Sequence, residues 1–264
     1  MNGKIGVFDS GVGGLSVLRE IHRLLPNIPT VYFADQKHVP YGPRPHAQIY
    51  GFVHQVVEFL IEQGAEVIVL ACHAGSAAAL YPLREAYPHI PFVGIEPAVK
   101  PASIATKSGV IGVLTTQATA DGELYRKVLT QFAQGVRVIT QVAPRLVELV
   151  EAGTFGTDDG KRIVADYLNP LMAEGADQLV LACTHFPFLT DDILSVTQNT
   201  MALIDPGLAV AKQVQRVLPA QFVPSDAPHT YFTSGDALAF ANALKTLIGV
   251  NAPTQTPDIF ASAE

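Results

Sequence analysis

The sequence predicts an α/β protein made of two related units, each a mainly parallel sheet flanked by helices. Three observations carry that reading. The phrase "GAEVIVLACHAG" at residues 64–75 returns as "GADQLVLACTHF" at 175–186, with Gly-Ala, three variable residues and Val-Leu-Ala-Cys at the same offsets. Upstream of each lies a matching apolar run, Ile5-Gly6-Val7-Phe8 and Ile111-Gly112-Val113-Leu114. Along the whole chain, short β-type runs alternate with segments of helical spacing, the pattern of parallel sheets joined by crossover helices.

In order, strands are predicted near Ile5 to Phe8, Thr30 to Ala34, Val67 to Ala71 and Pro91 to Gly94, then near Val110 to Leu114, Val136 to Thr140, Gln178 to Ala182 and Met201 to Ile204. Between them, Leu15, Leu18, Ile21, Leu24 and Leu25 recur with helical spacing, as do Phe52, Val56, Phe59 and Leu60. "GIEPAVKPAS" at 94–103 and "LIDPGLAV" at 203–210 are the expected crossing points. The first unit is therefore expected to span 1–97 plus about 208–250, and the second 98–207. The polar, Pro-containing tail 251–264 is expected to be loose.

At 264 residues the chain has ample material for a core. A net charge of −7 gives no nucleic-acid footprint. The apolar runs are too short to cross a bilayer and "MNGKIGVFDSG" lacks the apolar segment of a signal peptide, so a cytoplasmic location is expected. The two cysteines form no Cys-x-x-Cys and no Cys/His cluster, so neither a disulfide scaffold nor a metal site is expected. Both are read as thiols.

In such sheets the carboxyl ends of the strands form the binding crevice. Cys72 and Cys183 end their strands, as do Asp9-Ser10, Asp35 and Thr115-Thr116. If the units face each other, the two thiols approach one ligand from opposite sides. A racemase needs that, because one group removes a proton from one face of a carbon while another returns a proton to the opposite face. A thiol titrates near about 8.5, so its basic form needs help from neighbours. His185 and Asp9 are the candidates. Taken singly, a strand-end Asp can equally cap a helix, and His185 can satisfy a backbone carbonyl. The glycines of "FDSGVGGLS" expose backbone N–H groups before a helix, which suits an anion. A dinucleotide site is the rival reading, opposed by Ser16 in place of the third glycine and by the carboxylate of Asp9.

Through "GVFDSGVGGLSVLREI", "FADQKHVPYG", "VIVLAC", "VGIEPAVKPA", "LVELVEAG" and "LACTHFPFL", the chain resembles the cofactor-independent glutamate racemases of the aspartate/glutamate racemase superfamily. The resemblance runs from residue 5 to about 210. It implies two pseudo-symmetric α/β domains with the active site between them, no cofactor, and interconversion of L- and D-glutamate, the D form entering peptidoglycan. By the same resemblance Cys72 acts on the D isomer and Cys183 on the L isomer, assisted by Asp9 and His185, with Asp35 and Glu151 as further acidic groups. Ser10, Pro40, Tyr41, Gly42, Thr116, Thr119 and Thr184 match substrate-contacting positions. A homodimer and domain closure around a dry site are further expectations.

The chain departs from the family pattern after the first cysteine, where His73-Ala74 stands in place of Asn-Thr. Ser76 and backbone N–H groups at the helix start are expected to replace the lost donors. His73 either binds substrate or packs away from the site. Phe186 replaces the usual Tyr, and Ala118 the usual Gly, where a different loop backbone is expected. Relatives activated by a cell-wall precursor carry an N-terminal extension. That mode is not expected in a chain whose first strand starts at residue 5. Three alternatives stay open: another superfamily racemase, isomerase or decarboxylase acting on aspartate, a hydantoin or a related dicarboxylic acid; a gyrase-binding role; and thiol redox chemistry.

Overall fold

A computed structural model describes residues 3–220, 222, 225 and 227–260. Strand β1 (Lys4–Asp9) leads through α1 (Leu15–Leu24) to β2 (Thr30–Ala34), then α2 (His46–Glu62), β3 (Ala65–Leu70), α3 (His73–Ala86) and β4 (Phe92–Gly94). After α4 (Val99–Ala105) come β5 (Val110–Thr115), α5 (Gln117–Ala120), α6 (Glu123–Phe132), β6 (Arg137–Val142), α7 (Pro144–Glu151), α8 (Asp158–Ala173), β7 (Gln178–Ala182), α9 (Thr190–Thr197) and β8 (Ala202–Ile204). The chain ends with α10 (Gly207–Val217), β9 (Thr230–Thr233), α11 (Ala237–Ile248) and β10 (Thr254–Gln255).

The strands form two sheets, of order β10-β9-β2-β1-β3-β4 and β6-β5-β7-β8, and every pairing is parallel. Central strands are apolar on both faces because helices cover both: every residue of "TVYFA" in β2 and "QLVLA" in β7 is buried. At the edge, β6 carries exposed Arg137 and Thr140 instead. Helix α1 shows its inward stripe as Leu15, Val17, Leu18 and Ile21, packed against α10 and α11. The segment after residue 207 thus returns to the six-stranded sheet, where β9 pairs with β2.

The sequence repeat has a structural counterpart in the strand register. Ile5 faces Val67 and Phe8 faces Leu70, just as Ile111 faces Gln178 and Leu114 faces Leu181. Equivalent residues of the two phrases therefore pair identically, and each cysteine stands at the same height beside its central strand.

One expectation is corrected. The tail is anchored, not loose, through residue 260: β10 adds a parallel edge strand, and Phe260 is buried against His38 and Phe52. Its polar composition hid the single apolar ring that docks it. Residues 261–264 of that tail lie outside the described residues.

Candidate active site

The loop after β1 shows why its glycines are needed. None of Gly11, Gly13 and Gly14 has a positive φ, so the requirement is space. A Cβ on Gly11 would strike the Glu151 carboxylate, on Gly13 the His185 ring, and on Gly14 the Asp9 side chain. The exposed backbone N–H groups do meet anions, but these belong to the protein: Gly11 N–H donates to Asp9 Oδ1 (2.9 Å) and Val12 N–H to Glu151 Oε1 (2.9 Å). The expected external anion is replaced by two carboxylates of the chain itself.

Cys72 follows β3 and caps α3, its sulfur accepting from Gly75 N–H at 3.3 Å and donating to Ser10 Oγ at 3.5 Å. Burial pushes its thiol up to about 12, with the Asp9 charge adding to the effect. Asp9 lies wholly buried between the units, and burial raises it to about 6 against the pull of His185 and the Gly11 N–H. Its Oδ2 accepts from Thr184 Oγ1 at 3.0 Å, so that hydroxyl spends its proton on Asp9 and keeps its lone pairs for a ligand.

Cys183 follows β7. Its sulfur lies 3.6 Å from His185 Nδ1, and His185 Nε2 lies 2.6 Å from Glu151 Oε1 at the end of α7. Burial alone would lower His185, yet its bonds to Cys183 and Glu151 hold its pKa well above the usual imidazole range. Glu151 is held below its ordinary value: burial works against this, but the His185 bond and charge and the Val12 N–H prevail. The result is an imidazolium held between the Glu151 carboxylate and the Cys183 sulfur.

Both cysteines line one cavity of about 280 Å³ at the seam between the sheets, together with Ser10, Pro40, Tyr41, Gly42, His73, Thr116, Thr184 and His185. Cys72 and Cys183 are 5% and 7% exposed, while Pro40, Gln117, Pro144 and Glu148, which line the same cavity, are exposed, so its mouth is open to solvent. Asp9, Glu151 and Asp35 stand behind this lining. Asp35 accepts from Tyr41 OH (2.6 Å) and Ser234 Oγ (2.7 Å) and lies 2.9 Å from His38 Nδ1, which fixes the Tyr41 ring at the cavity wall. Two expected contacts are corrected. Ser76 does not reach the cavity, because its hydroxyl donates to Leu70 O (2.9 Å) and accepts from Ile95 N–H (3.1 Å). Thr119 is buried behind Thr116, the two hydroxyls 3.2 Å apart. Ala118 needs no unusual backbone: it sits in α5 with its N–H bonded to Gly42 O (2.8 Å), tying the two units together. The apolar wall of Val39, Val142, Pro144 and Val147 carries no chemical pattern that reading the sequence could have detected.

The family model for Asp/Glu/Hydantoin racemase matches residues 5–214. The chain belongs to this racemase family. It is 47% identical to the glutamate racemase of Ectopseudomonas mendocina over 251 residues, 94% of this chain and 95% of that one. Among solved structures, a glutamate racemase isoform from Bacillus anthracis superposes with a TM-score of 0.87 at 33% identity, covering 97% of each chain. The Escherichia coli glutamate racemase, solved with L-glutamate and an activator, UDP-MurNAc-Ala, superposes with a TM-score of 0.87 at 31% identity, covering 97% of this chain and 98% of that one. For a racemase of this family, a cavity between two cysteine-bearing strand ends is an arrangement with a direct chemical use.

Proposed function

We propose that the chain is a glutamate racemase that interconverts L- and D-glutamate by two-thiol proton transfer. The observation that carries this is the pair of cysteines at equivalent strand ends, lining one cavity from the two units. With L-glutamate, the Cys183 thiolate takes the α-proton while the Cys72 thiol delivers its own proton to the opposite face. The product is D-glutamate, and the thiol and thiolate have exchanged places. The reverse reaction begins with Cys72 as base and Cys183 as acid.

The surroundings fit these roles. At neutral pH Cys72 carries its proton and is the acid in the L-to-D direction. His185, held as a cation by Glu151, balances negative charge on Cys183. Thr184, its hydroxyl turned toward Asp9, offers lone pairs to the substrate ammonium, while Ser10 keeps a proton for a carboxylate. Burial of these side chains strengthens each of these interactions. Supply of D-glutamate to peptidoglycan, a cytoplasmic location and a homodimer follow from the family resemblance.

Circular dichroism of L- and D-glutamate, with aspartate and a hydantoin as competing substrates, tests the proposal. Glutamate should racemise in both directions, and Cys72→Ser and Cys183→Ser should each lower turnover by about 100-fold to 10,000-fold. Racemisation of aspartate in preference to glutamate would move the chain to a sister activity.

A further inference from the structure

Tyr32 is the middle residue of β2, wholly buried and stacked on Phe240 of α11 with ring centroids 5.8 Å apart. Packing alone would be served by a phenylalanine, such as the Phe33 that follows it. The extra hydroxyl needs an acceptor, because a buried one left without a bond is costly. That acceptor is the Gly11 carbonyl, 3.0 Å away in the loop after β1. The loop lies directly on the phenol: a Cβ on Gly14 would come within 2.7 Å of its oxygen. Burial first, and then the charges of Asp9, Glu151 and Cys72, push Tyr32 well above the usual phenol range, so it keeps its proton and remains a donor. Two-thiol proton transfer by itself gives this hydroxyl no part.

The bond matters through the other end of the same peptide group. Gly11 C=O and Val12 N–H belong to one planar unit, so fixing the oxygen fixes the direction of the N–H. Val12 N–H donates to Glu151 Oε1 at 2.9 Å. The same carboxylate oxygen lies 2.6 Å from His185 Nε2, and His185 Nδ1 lies 3.6 Å from the Cys183 sulfur. A continuous chain of polar contacts thus runs from β2 of the first unit, through one peptide, to the cysteine of the second. A donor on the carbonyl polarises the peptide and strengthens its N–H. That N–H helps to hold Glu151 below its ordinary value, and Glu151 helps to hold His185 above its own. Gln36 Nε2 also donates to Glu151, but to Oε2 and at a longer 3.3 Å, so the oxygen that meets His185 relies on Val12.

We infer that Tyr32 is a positioning residue for racemisation: its hydroxyl fixes the Gly11–Val12 peptide, whose N–H aims the Glu151 carboxylate at His185 beside Cys183. The inference rests on the racemase reading of this cavity. Tyr32 is not among the cavity-lining residues, so its effect passes through the loop. The titratable groups that face this chain of contacts are Asp9 after β1, Cys72 after β3, Glu151 on α7, and Cys183 and His185 after β7.

The test is Tyr32→Phe, which removes one oxygen and keeps the ring. In protein labelled with ¹⁵N at histidine, the His185 signals are assigned by their loss in His185→Gln. The pH midpoint of the His185 ring should fall in Tyr32→Phe by about 0.5–1 pH unit, the size of one net hydrogen bond. Glutamate turnover from either enantiomer should lose about 3- to 10-fold in kcat with KM little changed, because Tyr32 stands outside the cavity. Phe240→Leu is the control for packing: it removes the stacked ring, keeps the hydroxyl, and should lower the unfolding temperature without moving the His185 midpoint. A folded Tyr32→Phe with the wild-type His185 midpoint would overturn the inference and, where it still turns over glutamate, leave the racemase reading standing. The wild-type protein gives an independent reading that stands even if Tyr32→Phe fails to fold. Its Tyr32 hydroxyl proton should exchange slowly with water and shift with the His185 midpoint, and a hydroxyl proton that exchanges freely or ignores that titration would also overturn the inference. A wild-type protein that racemises no glutamate would remove the racemase reading, and this inference with it.

Discussion

Glu151 and His185 hold opposite charges side by side and largely buried, and pH acts on each in its own direction. The folded-state value of His185 is raised, so its contribution to stability is fully present below about 6.5 and is lost as pH climbs through the raised value. Glu151 is lowered, so its contribution is present above about 4.5 and is lost as pH falls through its folded value. The thermal stability gap between wild type and Glu151→Gln should therefore be widest between these two ordinary values and narrow on either side; a gap independent of pH would mean the pair is not ionic. Cys72 supports a second prediction. With its thiol pushed up to about 12, alkylation of Cys72 by iodoacetamide, followed by mass spectrometry, should rise with pH up to pH 9 without a plateau. At this scale the sequence was informative about the cysteines because a repeat singled them out. It was misleading about Ser76, since a residue type does not say which carbonyl its hydroxyl will find. It pointed to Glu151 only through the family resemblance, since on its own that residue reads as a solvated one near a helix end.

The loop between β1 and α1 is the element on which the site turns, because three side chains of the site pack against its glycines. Gly13→Ala should drive the His185 ring away from Cys183 and lower kcat by about 10- to 100-fold, since small misplacements of catalytic groups are costly. Gly51→Ala is the matching control. Gly51 lies within α2, a Cβ there meets nothing within 4 Å, and the change should leave turnover intact while stabilising the fold by about 0.5–1 kcal/mol. Equal damage from both substitutions would mean that helix propensity and glycine content, not contact with His185, explain the loop. The alternation of strands and helices was legible because buried parallel strands must be apolar throughout. Two short strands were not read as strands: β9, whose Thr230 and Thr233 dilute its apolar character, and β10, of two residues, which carries almost no pattern. Their pairing is decided by neighbours far away in sequence.

At the scale of the whole molecule, two sheets meet along a seam whose bonds run through the site itself: Thr184 to Asp9, Val12 to Glu151, Ser16 to the Thr184 carbonyl and Ala118 to the Gly42 carbonyl. A ligand in the cavity bridges both units, so saturating D- or L-glutamate should raise the unfolding temperature by mass action, a gain of about 2.7 kcal/mol at a hundredfold excess over Kd. An unchanged unfolding temperature would contradict binding at the seam. Among the described residues no helix is long and apolar enough to cross a membrane. The register repeat, Ile5 with Val67 and Ile111 with Gln178, explains why two phrases so far apart in the chain foretold a single cavity. The central claim is that two thiols act on opposite faces of one carbon, and isotope labelling in heavy water tests it most directly. In the first few per cent of reaction from either enantiomer, the product should carry deuterium at Cα while the remaining substrate keeps its proton, because the incoming hydrogen comes from the second, solvent-exchanged thiol. Product that retains the substrate's own proton, or deuterium that enters the substrate without inversion, would mean that a single base does the work.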